Sequence, residues 1–154
     1  MALPRFVLLL VHVLAGAVWL GAMAYSLGVV QARVRALFDD PVRSEEAAVF
    51  MAAGARWKVI ATMAVLAATG GGLVVVEGWG HSAWWQVAIV AKVVVLAVAA
   101  AVFGWVSWRL WPARIFALPE EIAGWQRRFE AVGRTLLGLV TAEFVLGVAA
   151  HVIR

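Results

Sequence analysis

FVLLLVHVLAGAVWLGAMAYSLGVV, residues 6–30, contains no Asp, Glu, Lys or Arg. As a helix of 25 residues rising about 1.5 Å each it reaches about 37 Å, enough to cross a bilayer with some tilt. Three more runs of this kind follow, at about 59–76, about 84–108 with Lys92 as its one charge, and about 135–153 with Glu143 inside. The runs are apolar all round. A transmembrane strand would alternate apolar and polar over about ten residues, so helices that satisfy their own backbone groups in lipid are the reading that fits. The expected fold is an all-α integral membrane protein, residues 1–154 forming one four-helix transmembrane bundle.

Composition agrees with that solvent. The chain has 154 residues, 65% hydrophobic and 14% charged, and a mean hydropathy of +0.94, whereas soluble domains are about 45–50% apolar. Little chain remains for a catalytic domain outside the membrane. The net charge of +4 and pI near 10.7 come from Arg residues in short connections between apolar runs, which is not the basic face of a nucleic-acid binder. With no cysteine, disulfides, Cys-zinc sites and thiolate copper ligands are excluded. Gly21-Ala22-Met23-Ala24 offers small residues suited to signal cleavage, but the preceding run exceeds the about 7–15 residues of a signal peptide's apolar region, so it reads as a span.

Cationic residues set the expected topology. Arg33, Arg35, Arg43, Arg56 and Lys58 flank the first connection, and Arg109, Arg114, Arg127, Arg128 and Arg134 the third, while 77–83 has none and Arg5 and Arg154 lie at the tails. The positive-inside rule then places both termini and the 77–83 turn outside. Trp79, Trp84 and Trp85 fall at the outer boundary and Trp57, Trp105, Trp108, Trp111 and Trp125 near the inner one, as aromatic belts do; Trp19 is mid-span. Each inner connection passes Arg, then proline (Pro41; Pro112 and Pro119), then paired acids, Glu45-Glu46 or Glu120-Glu121. Acids complement a helix start and proline suits its first turn, so spans two and four are expected to begin as short extensions outside the membrane. The likeness of the two connections also hints at a duplicated hairpin, with His12 and Lys92 in matching places.

Ionisable side chains in hydrocarbon mark functional sites by default. Counted along the helices, His12 is roughly 9 Å deep, Lys92 roughly 12 Å, Glu143 roughly 15 Å and His151 roughly 3 Å, all in the outer half. His81 lies in the outer turn. A structural reading is available for each: an ion pair fastening Lys92 to Glu143, an interhelical hydrogen bond from His12, a headgroup position for His151 and a solvated one for His81. The functional reading is a metal or haem site, since neutral imidazole is a common ligand and a desolvated lysine can lose its proton. Copper(I) favours sulfur, yet Met23, Met51 and Met63 lie toward the inner half, away from the histidines. Haem needs axial ligands and a flat apolar slot. His12, Gly16 and Trp19 share one helix stripe, and Glu143, Gly147 and His151 another; close helix packing would also use these glycines.

His12 with Trp19-Leu20-Gly21 in the first span, Thr69-Gly70 closing the second, Ala91-Lys92 opening the third and Glu143 in the fourth together resemble the copper-resistance-D (CopD-like) membrane proteins over nearly the whole chain. The pattern also looks like the related HemJ-type protoporphyrinogen oxidases. That second resemblance implies haem b, with a first-helix His and a third-helix Lys as key residues, here His12 and Lys92. CopD-like proteins are usually larger, and this chain has only the four-helix unit. The expectation is a bacterial-type inner-membrane redox protein holding haem b on His12, with Lys92 or His151 as second ligand and Trp19 against the macrocycle. Its partner would be a quinol, a porphyrinogen or a redox protein. Copper transport is the alternative, and an accessory subunit of a larger or homo-oligomeric membrane complex the third reading.

Overall fold

The computed structural model describes residues 2–152, Ala2 by its backbone only. Ile153, where the fourth span was expected to end, and Arg154 of the C-terminal tail lie outside the described residues. The described chain is helical throughout its elements, with no strand: α1 (Ala2–Tyr25), α2 (Gln31–Leu37), α3 (Pro41–Ala52), α4 (Ala55–Glu77), α5 (Ala83–Trp105), α6 (Trp111–Ile115) and α7 (Ile122–Val152). Two five-residue π-helical turns, Ser26–Val30 and Val106–Leu110, join α1 to α2 and α5 to α6 without a break. Four of the resulting rods are long and apolar enough to cross a membrane. Large apolar side chains such as Leu14, Val18, Val90, Val93 and Trp105 are exposed along them, which water would penalise and lipid would not.

α1 packs along α4, α5 along α7, and α1 against α7. The centre is closed by Trp19 (4% exposed) from α1, Leu66 from α4, Ala99 (0%) from α5 and Leu136 and Val140 from α7. Lipid chains are as apolar as leucine, so what holds such a centre is close contact more than transfer from water. A second cluster of Trp85, Ala88 and Ala150 closes the end where the 77–83 turn lies.

Local sequence explains most boundaries, and corrects two expectations. The first connection does not simply extend span two. Asp40 caps α3, its carboxylate accepting from Val42 N–H at 2.9 Å, and Pro41 follows at the first turn, where its missing N–H costs nothing. Thus Ser44 and Glu45 lie inside α3 and are buried, instead of opening a helix. α3 ends at Ala52, and Gly54 adopts φ +75° ahead of α4, a left-handed conformation that favours glycine and separates the two helices. The third connection does behave as an extension: after the 3₁₀ turn at Pro119–Glu121, in which the Glu121 carboxylate accepts from Leu118 N–H, α7 runs unbroken from Ile122 into the apolar stretch. The second correction concerns Trp85, which is 2% exposed. It turns inward against Ala88 and Ala150 and stacks on His81, ring centroids 4.5 Å apart, leaving Trp79 and Trp84 exposed.

Candidate functional site

His12, Lys92 and Glu143 each find a partner on a neighbouring span. His12 on α1 meets Thr69 on α4, Nδ1 to Oγ1 at 2.8 Å. The roles follow from the hydroxyl's single hydrogen. Thr69 Oγ1 donates to the Val65 carbonyl at 2.6 Å, one turn back in α4, so toward His12 it can only accept. His12 Nδ1 must then carry a proton and donate; in the neutral ring the lone pair is then on Nε2. Gly70 makes this approach possible: a Cβ there would stand 3.1 Å from His12 Cε1.

The second pair joins α5 to α7. Lys92 Nζ lies 3.1 Å from Glu143 Oε2 and donates to the Glu143 backbone carbonyl, also at 3.1 Å. The side chains are 18% and 15% exposed. Gly147, one turn along α7, gives Nζ its space, since a Cβ there would be 3.1 Å away. Glu143 Oε1 is buried and has no hydrogen-bond partner among the described residues. A buried carboxylate with one orphaned oxygen is ready to take a proton or a further donor.

The remaining expected site residues are placed differently. Gly16 sits between Leu66 and Phe144, each 3.9 Å from where its Cβ would be, an ordinary packing distance that alanine would also allow. Trp19 fills the bundle centre among Leu66, Ala99, Leu136 and Val140. His151 is exposed near the end of α7, and no hydrogen bond or ion pair ties it to His12 or Lys92 among the described residues. Nor do any three His, Cys, Asp or Glu side chains among them converge as a metal site.

For a haem, these observations divide the expected residues. His12 is the residue that would hold it: its Nδ1–H is tethered to Thr69, as a second partner tethers ligating imidazoles, and the neutral ring would ligate through Nε2. Lys92 as an ammonium has no lone pair to give; it gains one only by passing a proton to Glu143, whose Oε1 is unpartnered.

Sequence reasoning missed one further polar group at the Arg-rich end. Arg114, next to α6's end, makes a paired contact with Glu45 of α3, Nε to Oε1 and Nη2 to Oε2, the latter at 2.9 Å, and Gln126 of α7 also donates to Glu45. These residues are 69 and 81 positions from Glu45, so no local spacing announces them. Asp40-Pro41, a capping residue followed by a first-turn proline, was the available signal that Glu45 lies inside a helix and not at its start.

Comparison with protein-family models, curated proteins and solved structures finds no match for this chain.

Proposed function

We propose that this chain is an integral membrane redox protein that binds haem b in the outer half of the bilayer, with His12 Nε2 as an axial ligand. The observation that carries the reading is the His12–Thr69 contact, because the commitment of the Thr69 hydroxyl to Val65 makes Nδ1 the donor and tethers the ring, so that in its neutral form Nε2 is the nitrogen that would ligate. Haem supplies one-electron transfer; the chain's own residues orient and tune. Thr69 holds the imidazole. Lys92 and Glu143 place a charge pair nearby, and the free Glu143 oxygen offers a proton acceptor of the kind that oxidation of a quinol or porphyrinogen requires. The resemblance of the His12, Thr69-Gly70, Lys92 and Glu143 pattern to HemJ-type and CopD-like proteins supports the same reading, and the distribution of Arg and Lys supports an outer location for the site.

The absorbance spectrum of purified protein, with a pyridine haemochrome assay, tests it. A Soret band is expected in the wild type, lost in His12→Ala, and weakened about 10- to 100-fold in haem affinity in Thr69→Val but not in Thr69→Ser. Folded wild-type protein without a Soret band refutes haem. Metal analysis then distinguishes the copper reading, which predicts bound copper lost in His12→Ala. Neither group bound would favour an accessory subunit, a reading that the full packing of Trp19 at the bundle centre also suits.

A further inference from the structure

The largest polar surprise lies at the opposite end from His12. An open cavity of about 740 Å³ lies between the two π-helical turns and beneath α3. A π turn widens a helix and disturbs its regular bonding, which is why such turns gather at functional places. Here both contribute lining residues, Leu27 and Val30 from one, Val106 and Ser107 from the other. Met23, Phe103 and Leu136 continue an apolar wall toward the bundle centre, while the rim is cationic.

The rim charges are not equivalent. Arg114 is neutralised by Glu45 and Arg35 by Glu130 at 3.0 Å. Arg56 differs: it donates through Nη2 to the Ser107 carbonyl at 2.6 Å and lies over the Trp108 ring, 5.3 Å from its centroid, with no carboxylate in ion-pair range among the described residues. A half-buried guanidinium whose acceptors are a carbonyl and a ring keeps its full charge and several unused N–H donors. Such a fork matches a phosphate. Apolar depth with a cationic rim, at the Arg-rich end of the apolar spans, is the chemistry of an acidic lipid seat.

We propose that this cavity binds one anionic phospholipid, its phosphate on Arg56 and part of an acyl chain against Met23, Leu27 and Phe103. A neutral amphiphile such as a quinone would occupy the apolar wall and leave Arg56 without a counter-charge, so charge complementarity selects the acidic lipid. Lipid and site share one feature each with the surrounding bilayer; what is specific is the single uncompensated arginine.

Native mass spectrometry of the full chain in detergent, with phosphatidylglycerol or phosphatidylcholine added, tests this. The wild type is expected to retain one phosphatidylglycerol in preference to phosphatidylcholine. Arg56→Gln should weaken that retention about fivefold, the loss expected for one cation near an acidic headgroup, and Arg56→Lys should largely keep it. Ala48→Phe, which projects into the cavity from α3, should weaken both lipids. Arg33→Gln, exposed and outside the cavity, should change neither. Equal retention of the two lipids by the wild type overturns the proposal. So does an Arg33→Gln effect as large as that of Arg56→Gln, which would mean diffuse charge; so does displacement by millimolar inorganic phosphate alone, or equal displacement by decylubiquinone from wild type and Arg56→Gln. If Arg56→Gln fails to fold, Ala48→Phe decides: retention of phosphatidylglycerol as strong as in the wild type overturns the proposal.

Discussion

Replacing Lys92 with Met would leave the Glu143 carboxylate inside the bundle with neither oxygen paired, because Oε1 has no partner already and Oε2 has only Lys92. Replacing Glu143 with Gln is a lesser injury. Lys92 Nζ would still donate to the backbone carbonyl of residue 143, at 3.1 Å, and an amide oxygen can stand where Oε2 was. Breaking a buried pair by removing one partner costs about 3–5 kcal/mol, and that figure applies to Lys92→Met, with both side chains under a fifth exposed. A charged donor that keeps one acceptor and gains a neutral one loses less, about 1–3 kcal/mol. Removing both charges, Lys92→Met with Glu143→Gln, should recover most of the loss, to within about 1 kcal/mol of wild type, since apolar replacement of an ion pair is often neutral. The assay is equilibrium unfolding of the four proteins by SDS titration from mild micelles, read as a double-mutant cycle. Equal costs for the two single variants would refute the role of the residue-143 carbonyl. Additive costs in the double variant would refute the pair itself.

Three further outcomes are expected. Gly70→Ala puts a methyl 3.1 Å from His12 Cε1, and because the tethered imidazole is rigid it must rotate off Thr69; stability should fall by about 1–3 kcal/mol, together with any Soret band, whereas Gly147→Ala meets only the flexible tip of Lys92 and should cost less in the same titration. Trp19→Ala should cost about 3–5 kcal/mol, as for large core truncations, with Trp19→Phe intermediate; unchanged unfolding would show that the central cluster does not hold the bundle. Because the chain has no cysteine, single cysteines report topology cleanly: Gly80→Cys should react with an impermeant maleimide from outside and Asp39→Cys only after permeabilisation, and the reverse result would invert the orientation read from the arginines.

The spans were legible because hydrocarbon imposes a length and an apolarity that no other environment demands together, and residues 6–30 meet both. The Lys92–Glu143 pair was legible for the same reason, since each is costly alone at that depth. Thr69 could be seen in the motif but its role could not, because a threonine inside a helix usually bonds its own backbone, and only the short contact to His12 shows that its oxygen also accepts. Trp19 lay on the His12 stripe, and a stripe gives a direction around one helix without saying which neighbour stands there; in the folded bundle it faces Leu66, Ala99 and Val140. The Glu45, Arg114 and Gln126 group was illegible because its members come from three helices far apart in sequence.

The suspected duplication gains physical content from the π-helical turns. One begins fourteen residues after His12 and the other fourteen after Lys92, and each lasts five residues. Trp19 and Ala99, the large and the small member of one core, likewise each lie seven residues after His12 and Lys92 respectively. In each half the first long helix sends a polar side chain to the second, His12 to Thr69 and Lys92 to Glu143, and a glycine on the second helix makes room for it. Both hairpins run in the same sense, so a duplication, if present, would be of the parallel kind. Packing explains the Trp19 and Ala99 exchange, because two tryptophans at one centre would not fit where one already leaves Ala99 with no exposure. Packing does not explain why one pair is neutral and the other charged. Two ion pairs, or two neutral pairs, would fasten the hairpins equally well. An imidazole hydrogen-bonded to a hydroxyl in one half and an ammonium paired with a carboxylate in the other is an asymmetry that packing leaves unexplained.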